Sequence, residues 1–551
     1  MIKDEIVKIL QKATGQSDIV VDVPGNNEFG DYSTNIAMQL KAKSPRQKAE
    51  EIVAKLLSNQ DTKLLFDKIE VAEAGFINFH LSKEALLKNL EKVDEKYGSS
   101  DIGKGKTAVI DYSAPNIAKA FGVGHLRSTI IGQALYNLYH FSGYKVIGDN
   151  HLGDWGTQFG MIIAAVKKNN LDIEKLSVDE LEKAYVEYNK KIEDNPGLKD
   201  VAKEWFKRLE EGDKEAKHIW QKAKDISLAE FQRIYDLLGV DIDYAYGESF
   251  YEDKMEAVIR EVEKKGLARK SEGAEIVEFN PPAGGLPPAM LIKSDGATTY
   301  FTRDLATIKF RIATWKPDIY IYEVGSEQSV YFRQLFETVR MLGWIKDEEL
   351  VHVGHGLFLF GGKKMSTRKG GSIKLEEVLK EAVERAKKLG NGDAKTAAAV
   401  GIGAIKYYDL LHHPTSSINF DWEKIFVLEG NSGPYLQYTV ARTNSVLVKS
   451  TNLQISKSAN NSQFNHEEEL VLRCLVHFPE VVENAALTYS PNLLCNYLYN
   501  LASKFNTFYA RHRILSDNRA NSELRLGLTS AVGRVLKSGL KLLGIQAPER
   551  M

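Results

Sequence analysis

Asp111-Tyr-Ser-Ala-Pro-Asn-Ile-Ala-Lys-Ala-Phe-Gly-Val-Gly-His-Leu-Arg-Ser-Thr129 is the stretch on which the reading of this chain turns. The apolar run Val109 to Tyr112 suits a buried strand, and Pro115 and Asn116 turn the chain out of it. After Gly122 and Gly124, apolar residues recur at helical spacing through Leu126, Ile130, Ala134, Leu135 and Leu138, with Gly143 as a stop. A helix that begins at a glycine turn offers unpaired N–H groups and the positive end of its dipole, and the missing side chains let a phosphate come close. The reading is a nucleotide site, with His125 donating to a phosphate or ribose and Lys119 adding a mobile charge. Such turns also occur without a ligand, so a second motif has to carry part of the weight.

That second motif is Lys363-Lys-Met-Ser-Thr-Arg-Lys-Gly-Gly371. Cationic and hydroxyl side chains with two glycines make a loop able to fold over a triphosphate and neutralise charge developing on leaving pyrophosphate. From 107 to about 150, and again from about 297 to 375, β-type runs alternate with amphipathic helices, as in a parallel sheet covered on both faces. The later half includes strand candidates Ile319 to Val324 and Leu350 to Phe360 around a helix from Ser329 to Leu342. Ligands of such sheets lie at the carboxyl ends of the strands, where both loops would meet.

Outward from this centre, residues 1–105 read as a small α/β unit with helical patterning at Ile6 to Leu10 and Ala49 to Leu57 and a strand at Phe76 to Leu81. The catalytic unit runs over 106–375, and its charged stretch at about 165–265 reads as a helical insertion. Residues 376–551 read as helical, broken by a polar stretch from Ser450 to Asn465 that reads as a mobile loop. From 501 onward nine Lys or Arg face three Asp or Glu, interleaved with Phe505, Phe508, Tyr509 and His512. Such a mixture suits stacking on unpaired bases, and equally a solvated helix face over an aromatic core. With 73 basic and 74 acidic residues, the whole chain carries no global sign of a polyanionic partner. Cys474 and Cys495 alone support neither a disulfide framework nor a thiolate zinc site, and no run approaches membrane-spanning length. A cytoplasmic location is the expectation.

The two loops resemble the signatures of class I aminoacyl-tRNA synthetases, a His-x-Gly-His turn and a Lys-Met-Ser-Lys-Ser loop. More narrowly, the chain resembles the arginyl-tRNA synthetase family from end to end. The motifs that carry this are Ser113-Ala-Pro-Asn-Ile-Ala-Lys119, His151-Leu-Gly-Asp-Trp-Gly-Thr-Gln158, Tyr300-Phe-Thr-Arg-Asp304, Lys364-Met-Ser-Thr-Arg-Lys-Gly370, Gly433-Pro-Tyr-Leu-Gln-Tyr438 with Ala441-Arg442, and the terminal Leu-Leu-Gly-Ile-Gln-Ala-Pro-Glu-Arg-Met. The resemblance implies a Rossmann-like catalytic domain, an N-terminal domain for the tRNA D-loop and a helical anticodon-binding domain. It implies ATP-dependent activation of L-arginine and transfer to tRNA(Arg), with Mg2+ bound to the ATP rather than to the protein, and a monomer.

Site residues follow by matched position. ATP falls to Gly122, Gly124, His125, Lys364, Met365 and Ser366, with Lys119 and Arg368 joining His125, Lys364 and Ser366 in catalysis. Arginine falls to Asp111, Ser113, Asn116, His125, Tyr300, Asp304 and Gln328. A guanidinium requires carboxylates because its charge cannot be shed, and Tyr300 and Asp304, four apart, share a helix face. For tRNA the matches are Phe76 and Asn78 in the N-terminal domain and Tyr435, Gln437, Tyr438, Arg442, Tyr509 and Arg513 in the helical one. Tyr435 and Tyr438 serve equally well as core residues at helical spacing, and Phe76 with Asn78 as a core aromatic and a turn.

Two positions depart from the family. Gly122 stands where the first signature has its first His, and Thr367 where the loop has its second Lys, a role the matched Lys119 takes over. A literal His-Val-Gly-His at His352 to His355 lies in the strand leading to the loop, has no helix after it, and reads as a decoy. Gly122 keeps alive a catalytically impaired tRNA-binding paralogue as the rival from another class. Within the fold the rival is a class I ligase for another amino acid.

Overall fold

The computed structural model describes residues 1–40, 44–279, 285–360, 363–364, 374–390, 392–450, 464–515 and 519–551. Near the N-terminus, helix Ile2–Thr14 buries Ile2, Ile6 and Leu10 at helical spacing, and helix Pro45–Leu57 starts on a Ser44 cap with proline in its first turn. These pack by an antiparallel sheet of β1 (Tyr32–Thr34), β2 (Phe66–Val71) and β3 (Ile77–Leu81), in the order β1-β3-β2.

The centre of the molecule begins with β4 (Thr107–Asp111) and β5 (Lys145–Asp149), joined by the helix Leu126–Phe141 that the apolar spacing predicts. Helices Thr157–Lys168, Val178–Asp194, Gly197–Glu210, Lys214–Leu238 and Met255–Lys264 form the insertion. Beyond it the structure adds a small antiparallel sheet, β6 (Ala268–Ser271), β7 (Ala274–Val277) and β8 (Ala289–Ile292), where the sequence reading places no element. Helix Tyr300–Trp315 and helix Ser329–Leu342 then flank β9 (Ile319–Gly325), and β10 (Glu349–His355) follows. Their sheet is parallel throughout, in the order β10-β9-β4-β5, with Asp111 level with Asp149 on one side and Tyr322 on the other. Ala108, Val109 and Ile110 of β4 are buried without alternation, as a central strand covered on both faces requires.

The strand expected over 350–360 is two strands. β11 (Phe358–Phe360) leaves the parallel sheet and pairs with β12 (Lys363–Lys364) and β13 (Ile418–Phe420). Gly356 makes the break, because a Cβ there would lie 2.5 Å from the backbone carbon of Ser416. Only a glycine lets the two segments approach so closely.

Past 374 the elements of the described residues are helices apart from β13, and Lys406, in helix Ala394–Leu410, ties three parts together. Its buried ammonium donates to the carbonyl of Leu238, at the end of an insertion helix, and to that of Gly544, just after the last helix. Burial without a carboxylate partner pushes the Lys406 pKa down to about 7. The N-terminal unit is seated on the C-terminal helices by the Arg473–Asp31 ion pair and by Tyr32, whose hydroxyl donates to Glu480 at 2.5 Å. Among the described residues no helix is long and apolar enough to cross a membrane.

Candidate active site

The turn after β4 is held in an unfavourable backbone conformation. Ser113, Ala114 and Ala118 have φ of 75°, 42° and 59°, a region that costs non-glycine residues about 1–3 kcal/mol each. Four side chains fix it: Ser113 N donates to Ser128 Oγ at 2.9 Å, Ala114 N to Asn150 Oδ1 at 2.9 Å, Ala118 N to Ser227 Oγ at 2.8 Å and Ala120 N to Glu182 Oε2 at 3.1 Å. Two of the four lie in the helical insertion, which therefore clamps the turn.

His125 caps the helix Leu126–Phe141. Burial first, and then the nearby Lys119 ammonium, push its pKa down to about 4, so the imidazole is neutral at pH 7. Its Nδ1 is buried without a hydrogen-bond partner among the described residues. Lys119 Nζ lies 5.9 Å from the centroid of the Tyr185 ring. Gly124 is exposed, and a Cβ there would meet nothing within 4 Å, so the space in front of the helix start is open. Gly122 has φ −86° and ψ 161°, an extended backbone that any residue adopts.

The chain just past the second motif reaches this turn. Gly122 bridges Lys374, and Leu375 N donates to the carbonyl of Phe121 at 3.0 Å. β12 holds the other flank of the loop. Met365, Ser366, Thr367 and Arg368 lie outside the described residues, as do the Lys364 side chain and most of the polar stretch, 451–463.

A second group of side chains gathers at the carboxyl ends of β4, β5 and β9. Asp304 accepts a hydrogen bond from the Tyr331 hydroxyl and lies 3.5 Å from His151 Nε2. Burial raises the Asp304 pKa. Glu248, electrostatically coupled to both Asp304 and His151, is pushed up to about 7, again chiefly by burial, against the pull of Arg303. Half-buried acids with raised pKa values at the mouth of a parallel sheet, each still 25% exposed, are what a cationic ligand needs. Beneath them Arg311, without exposure, donates Nε to Asp149 at 2.9 Å and Nη2 to Asp111 at 2.7 Å. Asp111 is thus held by a guanidinium of the protein itself, and the trio of one cation and two anions keeps a net negative charge.

The remaining expected residues divide by location. Tyr300 is 63% exposed, its ring 5.3 Å from that of Tyr331. Gln328 is exposed in the turn Ser326–Gln328. Asn116 bridges Gly153, where a Cβ would sit 2.2 Å from Asn116 Oδ1. Ser113, by contrast, is buried with its hydroxyl 2.8 Å from both Thr129 Oγ1 and Tyr235 OH, a positioning contact. His151, Glu248, Tyr331, Arg311 and Asp149 were not assigned from sequence. His151 sits in a quoted motif, but nothing local marks Glu248 or Tyr331.

On the nucleic-acid side, Phe76 is exposed in the turn between β2 and β3, while Asn78 is buried inside β3. Gln437 corrects the reading of its motif: fully buried, its Nε2 donates to the carbonyls of Ala399 at 2.9 Å and Gln546 at 2.7 Å, so no nucleotide reaches it. Tyr435 is half-buried against Tyr499. Arg442 lies between two exposed rings, 4.8 Å from Tyr438 and 4.9 Å from Tyr509, with Asn506 accepting from its guanidinium. Arg513 is exposed nearby.

A parallel sheet with a glycine turn and a helix start at its carboxyl edge, bridged there by Lys374 just past the second motif, is the arrangement of a class I aminoacyl-tRNA synthetase. Family models for the class I (R) tRNA synthetase catalytic domain, the arginyl-tRNA synthetase N-terminal domain and the DALR anticodon-binding domain match residues 86–422, 1–81 and 436–551. The arginine–tRNA ligase of Exiguobacterium sibiricum is 40% identical over 98% of both chains, and that of Lactococcus lactis 41% identical over 97% of this chain and 95% of its own. The solved arginyl-tRNA synthetase of Plasmodium falciparum has a TM-score of 0.85 and 28% identity over 100% of this chain and 99% of its own. The Thermus thermophilus structure matches the fold over 100% of both chains, with a TM-score of 0.86 and 24% identity. The chain belongs to the arginyl-tRNA synthetase family.

Proposed function

We propose that this chain is an arginine–tRNA ligase whose guanidinium pocket is formed by Asp304 and Glu248, with Tyr300, Tyr331 and His151 around them. The observation that carries this is the pair of half-buried acids at the carboxyl edge of the sheet. An amino acid without the guanidinium leaves them with only the protein's own partners, Tyr331 and His151 for Asp304 and Arg303 for Glu248, and brings no cation of its own, which a polar pocket penalises. Asp111, Asn116 and Gln328 attend the ammonium and carboxylate end, with Asp111 acting through the Arg311–Asp149 trio.

In the first step an arginine carboxylate oxygen attacks the α-phosphorus of ATP in line. The new P–O bond replaces the one to pyrophosphate, which departs; Mg2+ brought in with the ATP would supply counter-charge to its phosphates. In the second, the 3′-terminal adenosine hydroxyl of tRNA takes the arginyl group, its proton is released, and AMP leaves. No protein nucleophile is needed, so positioning and electrostatics supply the catalysis. His125, neutral at pH 7, is suited to donate a hydrogen bond without carrying charge, and Lys119 brings the mobile cation to the same edge. Lys364, Met365, Ser366 and Arg368 close over the triphosphate.

Phe76 belongs to the D-loop contact, and Tyr438, Arg442, Tyr509 and Arg513 to the anticodon contact. The unit boundaries 1–105, 106–375 and 376–551, a monomeric state, a cytoplasmic location and a first step that requires bound tRNA are part of the same reading. The test is ATP–pyrophosphate exchange with arginine, lysine or cysteine, each with and without tRNA(Arg). Arginine with tRNA alone should support exchange; equal exchange with lysine would remove the pocket assignment.

A further inference from the structure

The imidazole missing from position 122 has a counterpart on another strand. His355 ends β10 at the carboxyl edge of the sheet, level with Gly325 of β9. Its Nδ1 lies 3.0 Å from Oε1 of Glu323, a carboxylate with no exposure on β9. A histidine tied through Nδ1 to a buried carboxylate has its ring orientation and the direction of Nε2 set for it. The helix that starts at the signature turn packs over this pair. Ser128 Oγ donates to the Glu323 carbonyl at 2.9 Å, and Arg127 Nη1 donates to the carbonyl of Gly356 at 2.9 Å, next to His355 in the chain. His355 is close enough to His125 to disfavour its charge. His355 keeps 15% of its side chain exposed, so its outer edge is not sealed.

The charges around it point the same way. Arg127 from the signature helix and Asp409 from helix Ala394–Leu410 pair with each other, Nε to Oδ1, at 3.1 Å. Among the described residues Glu323 is the main counter-charge of His355, Asp409 adding to it and Arg127 opposing, with the neutral-leaning His352 and His125 on the nearby strand and turn. Burial disfavours the His355 imidazolium, yet the Glu323 carboxylate outweighs it and holds the pKa above the ordinary histidine value. The literal His-Val-Gly-His at 352–355 is a signature in letters only, but its last residue stands where a phosphate donor is wanted.

We infer that His355, aimed by Glu323, directs Nε2–H to the phosphate charge that an imidazole at position 122 would otherwise meet. The inference rests on the arginine–tRNA ligase reading. The experiment is tRNA-dependent, arginine-dependent ATP–pyrophosphate exchange on the full chain, His355→Phe, Glu323→Gln, and each combined with Gly122→His. His355→Phe should lower kcat by about 100-fold, the scale of one lost preorganised donor, with the arginine KM little changed. Gly122→His should raise the His355→Phe variant at least tenfold more than it raises the parent, because one imidazole substitutes for the other.

Glu323→Gln should move the alkaline limb of the kcat profile to lower pH, since the imidazolium loses its counter-charge and deprotonates earlier. If His355→Phe does not fold, as read by its thermal midpoint, the same relative rescue must be seen in Glu323→Gln. Equal multiplication of both backgrounds by Gly122→His, or a His355→Phe rate within threefold of the parent, overturns the inference. A parent chain with no arginine-dependent exchange instead overturns the ligase reading, before any variant is compared, and the inference with it.

Discussion

Arg311→Met removes the cation that joins the ends of β4 and β5 while keeping an unbranched side chain of similar reach. Arg311 is fully buried and holds Asp111 at 2.7 Å and Asp149 at 2.9 Å, with its guanidinium carbon 5.2 Å from the Tyr322 ring centroid. Breaking a buried pair from one side costs about 3–5 kcal/mol, because the abandoned charge stays in a poorly solvating site. Two carboxylates are abandoned here, so the loss should lie at the upper end of that range at pH 7.5. At roughly 2–4 °C per kcal/mol for a domain-sized unit, the midpoint of the catalytic unit should fall by roughly 10–20 °C in thermal unfolding.

The pH dependence gives the sharper check. Burial already raises the Asp149 pKa, and Arg311 opposes that rise. Without Arg311 the native Asp149 carboxyl binds its proton at a higher pH than in the unfolded chain, so stability of the variant falls as pH rises and recovers as pH drops toward 5. Adding Asp149→Asn should restore part of the loss at pH 7.5. A variant within about 1 kcal/mol of the parent at pH 7.5, or a deficit independent of pH between 5 and 8, would refute the account of the trio.

Tyr331→Phe removes a hydrogen bond to a charged acceptor, worth about 1.5–3 kcal/mol, and should raise the arginine KM roughly 10- to 100-fold with kcat nearly unchanged; a matching fall in kcat alone would contradict it. Gln437→Ala strands the carbonyls of Ala399 and Gln546 and should cost about 2–4 kcal/mol in thermal or denaturant unfolding, without a specific loss of tRNA affinity in filter binding. Arg442→Ala unstacks Tyr438 and Tyr509 and should weaken tRNA binding roughly 5- to 100-fold while leaving tRNA-independent stability within about 1 kcal/mol; a salt dependence identical to the parent's would argue that Arg442 meets no phosphate.

What could be read in advance follows the range of the interactions. Helix Ser329–Leu342 and strand Ile319–Gly325 emerge where periodicity puts them, because burial on one face or both is written into neighbouring residues. The split of 350–360 was not legible, since Gly356 answers to a backbone 60 residues away at Ser416. Glu248 is separated from Asp304 by helix Met255–Lys264, an antiparallel sheet and loops, and only the fold brings the two acids together. Gln437 reads as a surface residue by its type, yet its partners lie 38 and 109 residues off and draw it into the core. The Tyr300-x-x-x-Asp304 spacing, by contrast, needed no tertiary knowledge, because one helix sets both positions.

The ammonium of Lys406 has a consequence for the order in which the molecule can be made. It sits in helix Ala394–Leu410 but takes one acceptor from Leu238 and the other from Gly544. During synthesis the insertion helix and the lysine leave the ribosome early, and their second acceptor follows more than a hundred residues later. The middle of the catalytic unit is therefore finished from the far end of the chain. Until that segment arrives, a buried cation there is half satisfied, and nascent chains halted short of Gly544 should show faster hydrogen exchange at the end of helix Lys214–Leu238 than released ones.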